Sequence, residues 1–221
     1  MGYGAFAALR KVLVSGLFVS WGYTATAEPV VIAALGDSLT QGYGLVEWDG
    51  FVPQLERWLQ ANGAEVRLIN AGVSGDTTAG GAARVEWTLT PDVDAMIVAL
   101  GGNDLLRGLD PDLSRANLTA ILSAAETSNV DVLLIGMQAP GNYGPDYKQA
   151  FDTIYPDLAE QFDVLYAESF FDGLASGGDP NVVSQYMQPD GIHPNAQGVA
   201  RIVEALGPSV LELVKMSGEQ G

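Results

Sequence analysis

The sequence predicts one α/β domain, a parallel β-sheet with helices on both faces, and three observations carry that expectation. From Glu28 onward, short apolar runs alternate with stretches of helical periodicity. The run Ala95–Leu100 is apolar throughout, as a strand covered on both sides should be. The first three runs each give way to a turn rich in Gly, Ser, Asn and Asp. In open α/β sheets the carboxyl ends of the strands are where ligands bind, so these turns are expected to open onto one edge. At 221 residues and 48% hydrophobic content, the chain can bury a full core as one domain over 28–221, and it contains no internal repeat.

Residues 1–27 read as an export signal rather than as fold. Arg10 and Lys11 supply the positive region, Val12–Tyr23 a short apolar stretch, and Ala25-Thr26-Ala27 an A-x-A cleavage site before Glu28. The apolar stretch is too short to span a bilayer unaided, so the expected location is a periplasm or the medium, with no stable membrane insertion after cleavage. With no cysteine, the fold uses no disulfide even there. The chain carries 10 Lys+Arg against 27 Asp+Glu, a formal charge of −17. A surface so acidic repels nucleic acid and anionic membrane.

Val30–Leu35 is short and β-branched enough for a buried strand, and it breaks at Gly36. Phe51, Val52, Leu55, Trp58 and Leu59 then recur at helical spacing, with Asn62-Gly63 as the stop. Glu65–Asn70 reads as the second strand, and a polar turn through Gly72–Thr78 leads to a helix from about Ala82 to Leu89. After the Ala95–Leu100 strand comes the turn Gly101–Asp104. Asp110-Pro111 then caps a helix striped by Leu118, Ile121, Leu122 and Ala125. Val130–Met137 is a fourth strand, and Pro156 must kink or restart the helix begun near Tyr147. Val164–Ala167 is a short fifth strand. Ser169–Gln188 reads as an irregular excursion, and a closing helix runs from Asn195 with a bend at Pro208. The Asn117-Leu118-Thr119 sequon is discounted because it falls inside a helix.

Chemistry enters at the turn after the first strand. Ser38 stands at a strand end and helix start, a position for a nucleophile, and a serine needs a base to take its proton. The chain has one histidine, His193, three residues after Asp190 in a turn fenced by prolines. That spacing lets the carboxylate reach the ring nitrogen that does not face Ser38. Acyl transfer also needs oxyanion donors, and the loss of one commonly costs about 3–4 kcal/mol. Gly75 allows close approach of a backbone N–H, and Asn103 offers a side-chain amide. Taken singly, Ser38 as a helix cap, His193 as a loop residue, and Gly75 and Asn103 as ordinary turn residues remain open. One histidine and no cysteine leave a metal only an all-carboxylate site such as Asp110 and Asp112, which helix capping explains better. No metal or cofactor is expected.

Four blocks, Gly36-Asp37-Ser38-Leu39, Gly75 in a Gly-Asp-Thr turn, Gly102-Asn103-Asp104 and Asp190-Gly191-Ile192-His193-Pro194, resemble those of the SGNH, or GDSL, hydrolases. Asn70–Thr78, Leu100–Asp104, Pro140–Gly144 and Ala150–Pro156 extend the resemblance to the exported acyl thioesterase, arylesterase and lysophospholipase branch. A proline directly before Asp190 departs from the pattern and stiffens its approach. The resemblance implies a flavodoxin-like three-layer α/β/α sandwich. It makes Ser38 the nucleophile and first oxyanion donor, Gly75 and Asn103 the other donors, His193 the base and Asp190 its orienter. Around them Asp37, Leu39, Thr77, Thr78, Leu105, Asn142, Tyr143 and Ile192 are expected to contact substrate. The walls are expected from the loops Thr77–Gly81, Leu105–Leu109 and Gln138–Gly144, while Met137 reads first as core. The expected partner is a small ester or thioester, short-to-medium acyl or aryl esters before thioesters and lysophospholipids. A monomer is favoured. Carbohydrate deacetylation, with Trp48, Trp87 and several tyrosines stacking sugars, and a non-catalytic binding module on the same fold are the alternatives.

Overall fold

The computed structural model describes Met1, residues 28–174 and residues 183–218. The export segment expected over 1–27 lies, Met1 apart, outside the described residues, as does the 175–182 part of the irregular excursion. Among the described residues no helix is long and apolar enough to cross a membrane.

Five strands, β1 (Val30–Gly36), β2 (Val66–Gly72), β3 (Ala95–Ala99), β4 (Asp131–Ile135) and β5 (Leu165–Ala167), form one parallel sheet in the order β2-β1-β3-β4-β5. This is the flavodoxin-like order, in which the chain reverses its direction of winding between β1 and β3. Burial follows position in the sheet. Every residue of β3 is buried and so is nearly all of β1 and β4, whereas the outer strands β2 and β5 are largely half-exposed. Near-continuous apolar sequence in the centre is thus the direct consequence of helices on both faces. On one face α2 (Phe51–Ala61) packs with α8 (Ala196–Gly218), and on the other α3 (Thr78–Thr88), α5 (Pro111–Thr127) and α7 (Ile154–Phe162) pack side by side. The short helices α1 (Ser38–Gln41), α4 (Gly102–Arg107) and α6 (Pro145–Asp152), with 3-10 turns at Glu47–Asp49 and Gly141–Tyr143, lie between them among the described residues.

Several boundaries differ from expectation for identifiable reasons. Helix α3 begins at Thr78 rather than near Ala82, because Thr77 caps it by accepting the Gly80 N–H and because Gly81 serves packing, not a turn. A Cβ on Gly81 would lie 2.2 Å from the Leu100 side chain. Residues 102–107 form α4 where only a turn was expected. Strand β4 stops at Ile135, and the following Gly136 donates to the Ala167 carbonyl. Asp110 accepts the Asp112 N–H with Pro111 in the first turn of α5, as its sequence suggests. Pro156 restarts the helix within the first turn of α7, where its missing N–H has no partner to lose. Asn195 caps α8 through the Gln197 and Gly198 N–H groups, and the helix runs unbroken through Pro208.

Candidate active site

Gly36 ends β1 against α1. A Cβ there would fall 2.0 Å from Thr40 Oγ1 and 3.0 Å from the Ala99 carbonyl oxygen, so a side chain would push the helix off the strand end. Asp37 caps α1, its Oδ1 accepting the Leu39 N–H at 3.0 Å, and Ser38 becomes the first helical residue at the carboxyl edge of the sheet.

Ser38 Oγ lies 2.8 Å from His193 Nε2, and His193 Nδ1 lies 2.7 Å from Asp190 Oδ2. If the proton on Nδ1 is donated to the carboxylate, Nε2 is left free to accept the serine hydroxyl. The turn carrying this pair is held by its own backbone: Asp190 Oδ1 accepts the N–H groups of Ile192 at 2.9 Å and His193 at 3.0 Å. The bond from the His193 ring, followed by these backbone donors, holds the Asp190 carboxyl down to about 2. The ring of Tyr43 lies against the imidazole, with centroids 4.6 Å apart.

The donors on the other side are assembled from distant segments. Gly75, beyond β2, takes the left-handed conformation at φ +83°, which a side chain would strain, and Arg107 Nη2 holds its carbonyl at 2.8 Å. Asn103 in α4 donates from Nδ2 to the Asp76 carbonyl at 2.9 Å and, at a longer 3.3 Å, to Asp37 Oδ2. Among the described residues, no acceptor is paired with the backbone N–H of Ser38 or of Gly75. Burial pushes the Asp37 carboxyl up to about 6, against the opposing pull of the Leu39 N–H, the His193 charge and the Asn103 amide.

Two arrangements that the sequence reading missed hold these donors. Arg84 of α3 spans three partners: Asp76 Oδ2 from Nε at 2.7 Å, the Ala71 carbonyl from Nη1 at 2.7 Å and the Gly36 carbonyl from Nη2 at 2.8 Å. It therefore ties the ends of β1 and β2 to the loop that bears Gly75. Asp104, 1% exposed, accepts from the Thr78 N–H, the Thr78 hydroxyl at 2.6 Å and the Ser114 hydroxyl at 2.9 Å, while Asn117 donates to Thr78 Oγ1. This buried set fixes α4, and with it Asn103, against α3 and α5. The signal available for Arg84 was an arginine eight residues after Asp76 in a chain poor in cations.

Ser38, Gly75, Asn103 and His193 face one cleft of about 760 Å³. Asp37, Leu39, Leu105, Asn142, Tyr143 and Ile192 line it too, though the Asp37 carboxylate is occupied by Leu39 and Asn103. Met137 does both jobs, buried in the core at 4% exposure and lining the cleft. Thr77 and Thr78 lie elsewhere. Thr77 caps α3, and Thr78 is fully buried on Asp104, so neither belongs to the lining, and the wall expected from Thr77–Gly81 is instead the start of a helix.

The family model for the GDSL-like lipases and acylhydrolases matches residues 34–201, which span β1 to α8. The chain belongs to that family. Among GDSL-like relatives, it is 36% identical over 207 residues to esterase TesA of Pseudomonas aeruginosa, covering 93% of this chain and all of that one. It is 34% identical over 194 residues to thioesterase 1/protease 1/lysophospholipase L1 of Escherichia coli K12, covering 86% of each. The crystal structure of AlinE4, an SGNH-hydrolase family esterase, superposes with a TM-score of 0.69 at 43% identity, covering 85% of this chain and 98% of that one. This GDSL-like chain therefore has the SGNH-hydrolase fold.

Proposed function

We propose that the protein is an exported serine esterase that cleaves short-to-medium acyl and aryl esters, with thioesters and lysophospholipids as further substrates. The observation that carries the reading is the continuous chain from Ser38 Oγ to His193 Nε2 at 2.8 Å and from His193 Nδ1 to Asp190 Oδ2 at 2.7 Å. His193 takes the hydroxyl proton as Ser38 attacks the carbonyl carbon. Asp190 orients the ring and stabilises the imidazolium. The developing oxyanion is met by the backbone N–H groups of Ser38 and Gly75 and by Asn103 Nδ2. The 3.3 Å contact from Asn103 to Asp37 is long for an N–H···O bond, so that proton is the one a negative oxygen in the cleft draws away. His193 then protonates the leaving group, the acyl group stays on Ser38, and water repeats the sequence to release the acid.

Leu105, Leu106, Met137 and Ile192 give the cleft an apolar side suited to an acyl chain. Of the residues considered for sugar stacking, Trp48 and Trp87 are exposed and do not line the cleft, whereas Tyr43 and Tyr143 do, so the apolar side of the cleft carries the preference for acyl and aryl esters. Export rests on the charge, apolar and Ala-Thr-Ala pattern of residues 1–27. The test is release of p-nitrophenol from esters of increasing chain length by the wild type and Ser38→Ala. The reading expects a maximum at short or medium chains and a loss of at least about 10⁴-fold in the variant. A folded wild type inactive on every chain length overturns it.

A further inference from the structure

The proton acceptor has a neighbour that the reaction scheme does not use. Tyr43 follows the glycine that ends α1 and is tied to both halves of the catalytic pair. Its backbone N–H donates to the Ser38 carbonyl at 3.1 Å, and its own carbonyl accepts from Gln188 Nε2 at 2.8 Å. Gln188 in turn donates to the Pro194 carbonyl at 3.0 Å, and its N–H to the His193 carbonyl at 2.7 Å. The Tyr43 backbone, from which the ring projects, is therefore tied to both the nucleophile helix and the base turn. The ring centroid stands 4.6 Å from that of the imidazole at a 37° tilt, inside the range over which an aromatic face attracts a cation. Tyr43 is itself half-exposed, whereas the His193 side chain is only 15% exposed.

We infer that Tyr43 is a positioning residue for His193: its ring fixes the plane of the imidazole and favours the imidazolium that forms when Ser38 gives up its proton. This rests on the reading of His193 as the base. Among the described residues, the charged groups that act on the ring are Asp190 from its own turn and Asp37 from the turn after β1, and Asp172 lines the same cleft. All three carboxylates remain in the variants below, so a change in behaviour reports on the aromatic face.

His193 is the only histidine of the chain, so its ring C–H resonances can be followed by NMR through a pH titration without ambiguity. A ring–cation contact and a mere cover over the imidazole make opposite predictions. Loss of the contact makes the imidazolium harder to form, whereas loss of a cover lets water solvate it. In Tyr43→Leu the titration midpoint of His193 is expected to fall by about half a pH unit, the shift that a contact of this class supports. The acid limb of the kcat profile for p-nitrophenyl butyrate should move down with it, and kcat should drop several-fold. Tyr43→Phe keeps the face and should retain the wild-type midpoint. A midpoint that stays or rises in Tyr43→Leu overturns the inference, and so does an equal fall in both variants, which would assign the effect to the hydroxyl. If the wild type hydrolyses no ester, the esterase reading falls, while the NMR midpoints still decide whether the ring favours the imidazolium.

Discussion

Ser38 is approached by two regions built in different ways. Asp190 and His193 belong to one tight turn whose carboxylate is satisfied by groups two and three residues away, and Asp190 stands at the surface. Asn103 and Gly75 are held through contacts that cross up to 66 residues of sequence: Asp104 is buried, Arg84 and Asp37 make part-buried bonds, and Arg107 holds the Gly75 carbonyl at the surface. The two carboxylates record the difference. Hydrogen-bond donors hold exposed Asp190 down to about 2, and burial pushes Asp37 up to about 6. The proposed base is thus a local device that the protein can present at its rim, whereas the proposed oxyanion donors, themselves half-buried or exposed, depend on contacts drawn from across the fold.

The contrast predicts how each region fails. The largest effect is expected from Asp190→Asn, which leaves the turn its side-chain acceptor but removes the charge that fixes the His193 tautomer. The kcat for a p-nitrophenyl ester should fall by about 10⁴-fold with little change in thermal unfolding. A loss of fewer than ten-fold would mean that the histidine does not need its partner. Asn103→Ala comes next, with kcat down about 10²–10³-fold and KM nearly unchanged, since the lost bond forms only as the oxyanion develops. A raised KM with kcat unchanged would instead place Asn103 in substrate binding.

The third prediction concerns stability. Asp37 binds its proton more tightly in the folded state, near 6, than in the unfolded chain, near 3.8. Between those values the folded state holds more protons, so this group's contribution to stability falls as pH rises and stays low above about 6. The full difference is about 3 kcal/mol for a shift of this size at a buried site. Asp37→Asn keeps an acceptor for the Leu39 N–H and abolishes the titration. Urea unfolding of wild type and variant at pH 4 and pH 7 should show the variant gaining on the wild type as pH rises. A constant difference between them would remove Asp37 from that role.

The same division explains what could be read from the residues alone. The β1 run, its break at Gly36, the Asp110-Pro111 cap and the Asp190-to-His193 spacing are local patterns, and each appears in the structure where the sequence puts it. Long-range partners leave no such trace. Gly80-Gly81 reads as a turn by itself, and only the Leu100 side chain opposite shows why a helix needs glycine there. Thr78 looks like a loop hydroxyl near a site until Asp104 is seen to bury it. Arg84 carries no motif, because what fixes its role is the meeting of two strand ends that sequence spacing does not reveal.

The hydrogen bond between Ser38 and His193 joins positions 155 residues apart. A chain made from its amino end presents the nucleophile, Gly75 and Asn103 long before its only histidine exists, and closing so wide a loop comes late because its entropy must be met before the contact rewards it. On the proposed mechanism, a chain that has not yet closed this loop holds Ser38 without its base, so hydrolysis requires the long-range contact and not the serine turn alone.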